Sequence, residues 1–555
     1  MLVSRENRLT IGCFCDIMNQ RFFSYKIWRI LLTIMNVVVK MLENEYWWGG
    51  SSSTGEQQPF SAKSKFSYDM NCGANQIMPL FLSSKGRYVW CNSPMVVKIE
   101  NGEIHLSARD EILVREAGET LRDAYLSASQ NHFPFSGKIP PEKFFTSAQY
   151  NTWMELDYHQ SQEGVLKYAH GLIENGYEPG VLMIDEGWHG RYGLWEFDRV
   201  KFPDPRAMVD ELHEMGFKVM LWVVPMVTSD GMDFILATER KHLNGGGGEK
   251  NYFLRTDDGK VAIVHWWNGY SAILNMCKEE DREFLDKKLR YLIDTYGVDG
   301  FKFDGGNVHT YDPRNVINGM QTKYTADELN IAWNDFGTRY EYHEYKDTFK
   351  GGGKAVVQRL QDRNHTWNEH GLTSILPAAL VQGLIGHPFI CPDMVGGGEW
   401  SFNYVPNFKC DQELFVRMAQ CSALFPMIQY SWAPWRMLDE KHSGLCLDAA
   451  KLHKRFSDVI VKLVRESAVT GEPIVRHMEY RFPHCGYENI NDQFTLGSDI
   501  LVAPIMEKGA VERSVVLPKG RWLYCDGREY EGGRTVHVSA PIDTLPYFEV
   551  IGDPD

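Results

Sequence analysis

The 555-residue chain lacks several features that would place it quickly. Its 11 cysteines are scattered, with no Cys-x-x-Cys pair and no zinc-type spacing to histidine, which argues against a structural metal site. An odd number of thiols in a chain of this size fits a reducing compartment and points to the cytoplasm. Positive charge is in deficit: 58 Lys+Arg against 73 Asp+Glu leave a formal net charge of −15, so no nucleic-acid partner is expected. No apolar run is long enough to span a bilayer. The most apolar segment, Ile27 to Val39, is short and interrupted, and Lys40-Met41-Leu42 follow it instead of a small-residue cleavage site. Residues 1–42 therefore read as a leader or an upstream start, with Met41 opening the folded chain. A periplasmic or membrane-anchored location would follow only if that segment acts as a signal anchor. Gly351-Gly352-Gly353-Lys354 lacks the spacing of a phosphate loop, and no internal repeat is evident.

What is present in quantity is aromatic. Aromatic residues make up 13% of the chain, with 16 Trp, 26 Tyr and 29 Phe. Their faces suit sugar rings, and they also suit large cores. The remaining composition, 43% hydrophobic and 24% charged, is that of a globular chain. At roughly 150 residues per domain it should hold two to four domains, or one large barrel with appendages.

Three regions follow from the patterning. From about 65 to 140 there are short strand-like runs, Arg87 to Trp90, Met95 to Ile99 and Glu103 to Leu106, the last two separated by the turn pair Asn101-Gly102. They predict an N-terminal β-sandwich over 43–143. From 144 to 465 strand and helix signals alternate. Candidate strands are Gln149 to Trp153, Val181 to Asp185, Lys218 to Val224, Gly300 to Asp304, Ala355 to Leu360, Phe389 to Met394, Phe425 to Tyr430 and Ile474 to His477, with amphipathic stretches such as Arg282 to Tyr296 between most of them. Eight such strands predict an α/β fold, a (β/α)8 TIM barrel. Strand signals return over 466–555, in Phe494 to Gly497, Ile500 to Pro504 and Ser514 to Pro518, and predict a C-terminal β-sandwich. Glycine runs at 245–248, 351–353 and 396–398 mark loops, where barrel active sites are built.

Four of the candidate strands end in, or are closely followed by, aspartate: Asp185, Asp304, Asp362 and Asp393. A single strand-terminal Asp often only caps the next helix. Four converging on one barrel mouth, among Trp153, Trp188, Trp195, Trp222, Trp266, Trp267 and Trp367, fit cleavage of a glycosidic bond, which needs two carboxyl groups across one sugar.

These segments resemble glycoside hydrolase family 31. Phe301-Lys302-Phe303-Asp304-Gly305-Gly306 is similar to the family's nucleophile strand, and Arg359-Leu360-Gln361-Asp362-Arg363-Asn364 to its acid/base segment. Pro392-Asp393-Met394-Val395-Gly396-Gly397 is similar to its Asp-Ile-Gly-Gly segment, and Leu496 to Pro504 to a landmark of its C-terminal domain. Gln429-Tyr430-Ser431 stands where the family's α-glucosidases carry Arg-Asn-His, and Glu186 follows Asp185 where they carry Tyr. Both departures, with His265-Trp266-Trp267, resemble the α-galactosidase branch, in which a Trp would crowd an equatorial O4.

The resemblance implies a retaining, exo-acting α-galactosidase, or else an α-glucosidase or α-xylosidase. A catalytically dead sugar-binding protein on the same scaffold is the alternative of another class, and the presence of both Asp304 and Asp362 weighs against it. It assigns Asp304 as nucleophile and Asp362 as acid/base, with Asp393 the rival for the second role. Asp362 is expected to have a raised pKa, from burial and from the neighbouring nucleophile. Lys302, two residues before Asp304 on the same strand face, is expected to keep the nucleophile ionised. Asp185, Glu186, Trp188, Trp222, Trp267, Lys302, Arg359 and Asp393 are the candidate substrate-binding residues. Lys346 stands sixteen residues before Asp362, where the α-glucosidases place a substrate-binding Arg, but the glycine-rich loop from Lys350 to Lys354 leaves its register open and it stays outside the set. The expected partner is a glycoside or oligosaccharide with a terminal α-linked sugar. No cofactor, metal or membrane is called for, and a homo-oligomer is compatible with the chain.

Overall fold

Eight parallel strands curl into the barrel in the order of the sequence. They are β1 (Gln149–Asn151), β2 (Val181–Ile184), β3 (Lys218–Val223), β4 (Gly300–Phe303), β5 (Tyr342–Tyr345), β6 (Val357–Arg359), β7 (Ile390–Cys391 with Met394–Val395) and β8 (Gln429–Tyr430). The computed structural model describes residues 34–231, 234–235, 252–256, 258–312, 316 and 323–552. The strands are short and almost wholly buried, as expected of a parallel sheet covered on its outer face by helices. β7 is broken. Ile390–Cys391 pairs with β6 and Met394–Val395 pairs with β8, so the ring closes through the intervening Pro392 and Asp393. Proline has no N–H to give to the ladder, which is why the break falls there.

Helices follow the strands where the sequence alternates apolar and polar residues at helical spacing. Glu279–Tyr296, ahead of β4, buries Leu285, Leu289, Leu292 and Tyr296 on one face, carries acids in its first turn and ends on Gly297 in the left-handed region. The β5–β6 connection has no helix. Instead Thr348–Phe349 leaves the barrel and pairs in parallel with Gln76–Ile77 of the N-terminal sandwich, and Phe349 is buried in that sandwich's core beside Trp47 and Ile77.

Two strand expectations are corrected. β5 is not evident from the sequence, because Tyr342-His343-Glu344-Tyr345 is half polar and carries a charged residue, the fully buried Glu344, into the barrel. The expected eighth strand, Ile474 to His477, belongs instead to the C-terminal sheet, where Val475–Arg476 pairs antiparallel with Phe494–Leu496. Both are short apolar-flanked runs, and only pairing tells them apart.

The N-terminal unit packs a four-stranded sheet, which includes Met95–Glu100 and Glu103–Ala108, against a five-stranded one, which includes Gln76–Ser83 and Arg87–Cys91. The expectation that residues 1–42 lie outside the fold is corrected from Met35 onward: Met35–Lys40 pairs with Glu103–Ala108 over its full length. Residues 1–33 lie outside the described residues, as does the glycine run at 245–248. At the other end the barrel's last helix, Ser457–Thr470, crosses the expected boundary at 465, and Gly471 in the left-handed region stops it. The C-terminal unit sets a six-stranded sheet and the Glu512–Leu517/Arg534–Ser539 pair around Trp522, Leu501 and Phe548. No helix among the described residues is long and apolar enough to cross a membrane.

Candidate active site

The C-terminal ends of the barrel strands open into a cavity of about 220 Å³ lined by Trp153, Tyr158, Asp185, Glu186, Trp222, Trp267, Lys302, Asp304, Lys346, Arg359, Asp362, Glu399 and Trp400. Strand geometry delivers the central groups. On β4 the side chains of Lys302 and Asp304 share a face two residues apart, and the Asp304 N–H donates to Val223 O at 2.9 Å, which fixes it against β3. The Asp304 carboxylate accepts from Trp222 Nε1 at 3.0 Å and from the Gly305 N–H at 2.8 Å. Burial pushes its pKa up. Lys346, then Lys302, with those two hydrogen bonds, outweighs burial and holds it below the ordinary carboxylate value. Lys302 itself donates to Asp185 Oδ2 at 2.6 Å, both side chains being buried, so the nucleophile candidate feels it at one remove.

Asp362 stands after β6 with about a quarter (26%) of its side chain exposed to the cavity. Lys346 Nζ, just past β5, donates to Oδ2 at 2.6 Å, and Arg359 Nη1 donates to Oδ1 at 2.8 Å. The expected rise in its pKa is corrected here. Burial acts upward, but Lys346 and Arg359 outweigh it and hold the carboxyl well below the usual range. Lys346, left out of the sequence-based set, is the direct partner of Asp362, and the sixteen-residue spacing was the signal.

Asp393 sits in the break of β7 and is 1% exposed, behind the wall and outside the cavity lining. It accepts from Arg359 Nη1 at 2.7 Å, from the Arg363 N–H at 2.7 Å and from the Gly398 N–H at 3.1 Å. Burial pushes it up to about 6 against the pull of Arg359. The expectation that Asp393 touches substrate is corrected: it orients Arg359 and the loop start. Trp188 is corrected likewise. It is fully buried, and its Nε1 donates to Trp222 O at 2.8 Å, so it supports the pocket wall from behind.

Glu186 lines the cavity under three donors. Tyr192 OH reaches Oε1 at 2.6 Å, Trp267 Nε1 reaches Oε2 at 3.3 Å, and Asn268 Nδ2 donates to Oε1. Burial pushes its pKa up to about 8 even so. Trp267 and Asn268 form the tip of the hairpin Ile263–Trp266/Gly269–Ile273, and Tyr158 OH donates to Asn268 Oδ1 at 3.3 Å. The sequence reading did not single out Tyr158, Glu399 or Trp400. All three lie in loops, and no residue spacing tells which loops reach the mouth.

Residues 139–433 match the family model for the glycosyl hydrolases family 31 TIM-barrel domain, and residues 471–552 match that for the family's C-terminal domain. The chain belongs to glycoside hydrolase family 31. It is 31% identical to the myogenesis-regulating glycosidase of Mus musculus across 76% of this chain and 58% of that protein. It is 25% identical to α-glucosidase 2 of Bacillus thermoamyloliquefaciens across 82% of this chain and 61% of the relative. The family 31 dextranase of Flavobacterium johnsoniae, solved with glucose, superposes with a TM-score of 0.79 at 18% identity, covering 94% of this chain and 67% of that one. The chain thus spans about three fifths of the length of the two curated relatives.

Proposed function

We propose that this family 31 chain is a retaining, exo-acting α-glycoside hydrolase whose terminal sugar is α-galactose. The observation that carries the hydrolytic reading is the presence of Asp304 and Asp362 in one cavity, on strand ends two strands apart. Asp304, ionised, attacks the anomeric carbon and forms a glycosyl ester while the bond to the leaving oxygen breaks, and Asp362 supplies that oxygen's proton. In the second half Asp362 takes a proton from water, the water oxygen bonds to the anomeric carbon, and Asp304 leaves. Two inversions give net retention. For the first half Asp362 must gain a proton, so a bound substrate has to draw Lys346 away from it.

The wall charges favour a neutral sugar. Asp185, Asp304, Asp362 and Glu399, beside a Glu186 that burial keeps largely protonated, face Lys302, Lys346 and Arg359, and each of the three cations already holds a carboxylate. The galactose reading is supported by Trp267 on the cavity wall, tied to Glu186, where its indole would crowd an equatorial O4 more than an axial one. The likeness to a Bacillus α-glucosidase supports α-glucoside hydrolysis as the second reading. Nitrophenyl α-galactoside, α-glucoside and α-xyloside, with NMR of the first product, separate them. We expect release from the galactoside, with α-galactose appearing first. Fast release from the glucoside alone overturns the galactose choice, and a β-anomer overturns retention.

A further inference from the structure

The hairpin that carries Trp267 to the cavity wall is rooted on a group that the reaction does not use. Asp281 stands in the first turn of the helix Glu279–Tyr296, is fully buried and lies outside the cavity lining. An acid at the third helical position often accepts from the N–H that opens its own helix. Here that N–H, on Lys278, donates to Asn275 O at 2.8 Å. The Asp281 carboxylate reaches elsewhere: its Oδ2 accepts from the Phe253 N–H at 2.8 Å and from the Asn275 N–H at 2.7 Å. Burial pushes its pKa up to about 6 against the pull of those same two N–H groups. Phe253 and Asn275 are the ends of one unit. Phe253 precedes the stretch that runs into Ile263–Trp266, and Asn275 follows Gly269–Ile273. Between them the Leu254 N–H donates to Ile273 O at 3.0 Å and the Ala262 N–H to Leu254 O at 2.9 Å, so the stretch and the hairpin hold together as one piece. Phe253 is buried at φ 76°, in the left-handed region, where a residue with a side chain stays only if its surroundings hold it.

The tip of such a unit is sensitive to its root. Roughly 20 Å of extended strand separate Asn275 from the tip, so a tilt of about 5° at the root moves the tip by nearly 2 Å. The bond from Trp267 Nε1 to Glu186 is 3.3 Å, already at the long end of the N–H···O range, and does not survive such a shift. The neighbouring strand Met226–Thr228 pairs with Ser271–Ile273 and fixes one edge of the unit, while Asp281 ties its two ends. We infer that Asp281 is a positioning residue for the sugar pocket: one carboxylate oxygen clamps both ends of the unit and so sets where Trp267 stands, and with it the choice between an axial and an equatorial O4. The inference rests on the reading of Trp267 as the residue that discriminates at O4.

The test is a double-mutant cycle read in the galactoside-to-glucoside ratio of kcat/KM. Asp281→Ala removes the clamp and is expected to narrow the ratio at least threefold. Asp281→Asn keeps an acceptor oxygen for both N–H groups and should stay within about twofold of wild type. In a Trp267→Ala background, Asp281→Ala should change the ratio by less than about 1.5-fold, because the group it positions is gone. An unmoved ratio in Asp281→Ala, or an equal change in both backgrounds, makes Asp281 a residue of the fold alone and overturns the inference. So does an Asp281→Asn protein that matches Asp281→Ala. Where Asp281→Ala does not fold, Asp281→Glu keeps the charge and the acceptor but moves the clamp by one methylene, and a wild-type ratio in that variant overturns the inference equally. A ratio that moves in Trp267→Ala but not in the Asp281 variants leaves the reading of Trp267 standing. A Trp267→Ala protein with the wild-type ratio removes that reading and the inference together.

Discussion

Asp304 is held ionised because two ammonium groups, one indole N–H and one backbone N–H together outweigh its burial. Removing the charge without changing the shape should therefore stop the reaction: Asp304→Asn is expected to lose roughly a thousandfold or more in kcat, measured on the nitrophenyl galactoside. Asp362→Asn should lose on the order of 10²–10⁴-fold on disaccharides, where the leaving oxygen needs a proton, and much less on an activated leaving group. Equal losses on the two substrates would argue against Asp362 as the acid. Glu186 behaves in the opposite sense. Its folded-state pKa is raised from 4.5 to about 8, so between those values the folded protein keeps a proton that the unfolded chain has released. Stability from this group is full below about pH 4.5 and is lost as pH rises toward 8. Glu186→Gln should flatten the fall in melting temperature across that window, and a slope unchanged from wild type would show that Glu186 titrates normally.

Elements decide which side chains reach the cavity. The hairpin Ile263–Trp266/Gly269–Ile273 holds Trp267 at its tip, and Glu186 ties that tip to the end of β2. Trp267→Ala should narrow the galactoside-to-glucoside ratio of kcat/KM by roughly tenfold, a range that pocket contacts of this kind command. An unchanged ratio would place the discrimination elsewhere. Elements also set what could be read from the sequence. β2, β3 and β4 were legible because apolar residues fill them, with Asp185 after β2 and Asp304 after β4, whereas β5 was hidden by two polar residues on opposite faces: His343, bonded to Tyr340 O and Ala355 O, and Glu344, which points into a barrel interior that holds Lys302 and Arg359. Trp188 looked like a pocket residue by position, yet it faces away from the cavity, because direction after a strand end depends on a turn that spacing does not encode. Glu399 and Trp400 stayed hidden because they lie in the loop after β7, and no residue spacing tells which loops reach the mouth.

At the scale of the molecule, the sandwich reaches into the active site. Gln76, buried and with its Oε1 held by Ser52, donates from Nε2 to the carbonyls of Lys346 at 2.5 Å and Arg359 at 2.9 Å. It thus clasps the two residues whose cations grip Asp362. Gln76→Leu leaves two buried carbonyls unpaired and should cost about 2–4 kcal/mol, read by denaturant unfolding. A loosened clasp also relaxes the hold on Asp362, whose pKa should rise toward the ordinary carboxylate value and carry the alkaline limb of the kcat/KM profile, where the acid loses its proton, with it. Lost stability with an unmoved profile would mean that Gln76 serves the fold alone.

The strand that Thr348–Phe349 lends to the sandwich has a consequence for synthesis. Gln76–Ile77 emerges from the ribosome first, and its partner lies some 272 residues downstream, the separation of the Asn75–Asp347 hydrogen bond nearby. At about 5–20 residues per second the stretch waits roughly 15 to 55 s for that partner. Through that interval part of the five-stranded sheet offers unpaired backbone groups, and the Phe349 site in its core stands empty. The N-terminal sandwich is therefore expected to complete its sheet and its core only after the barrel's fifth loop has been made.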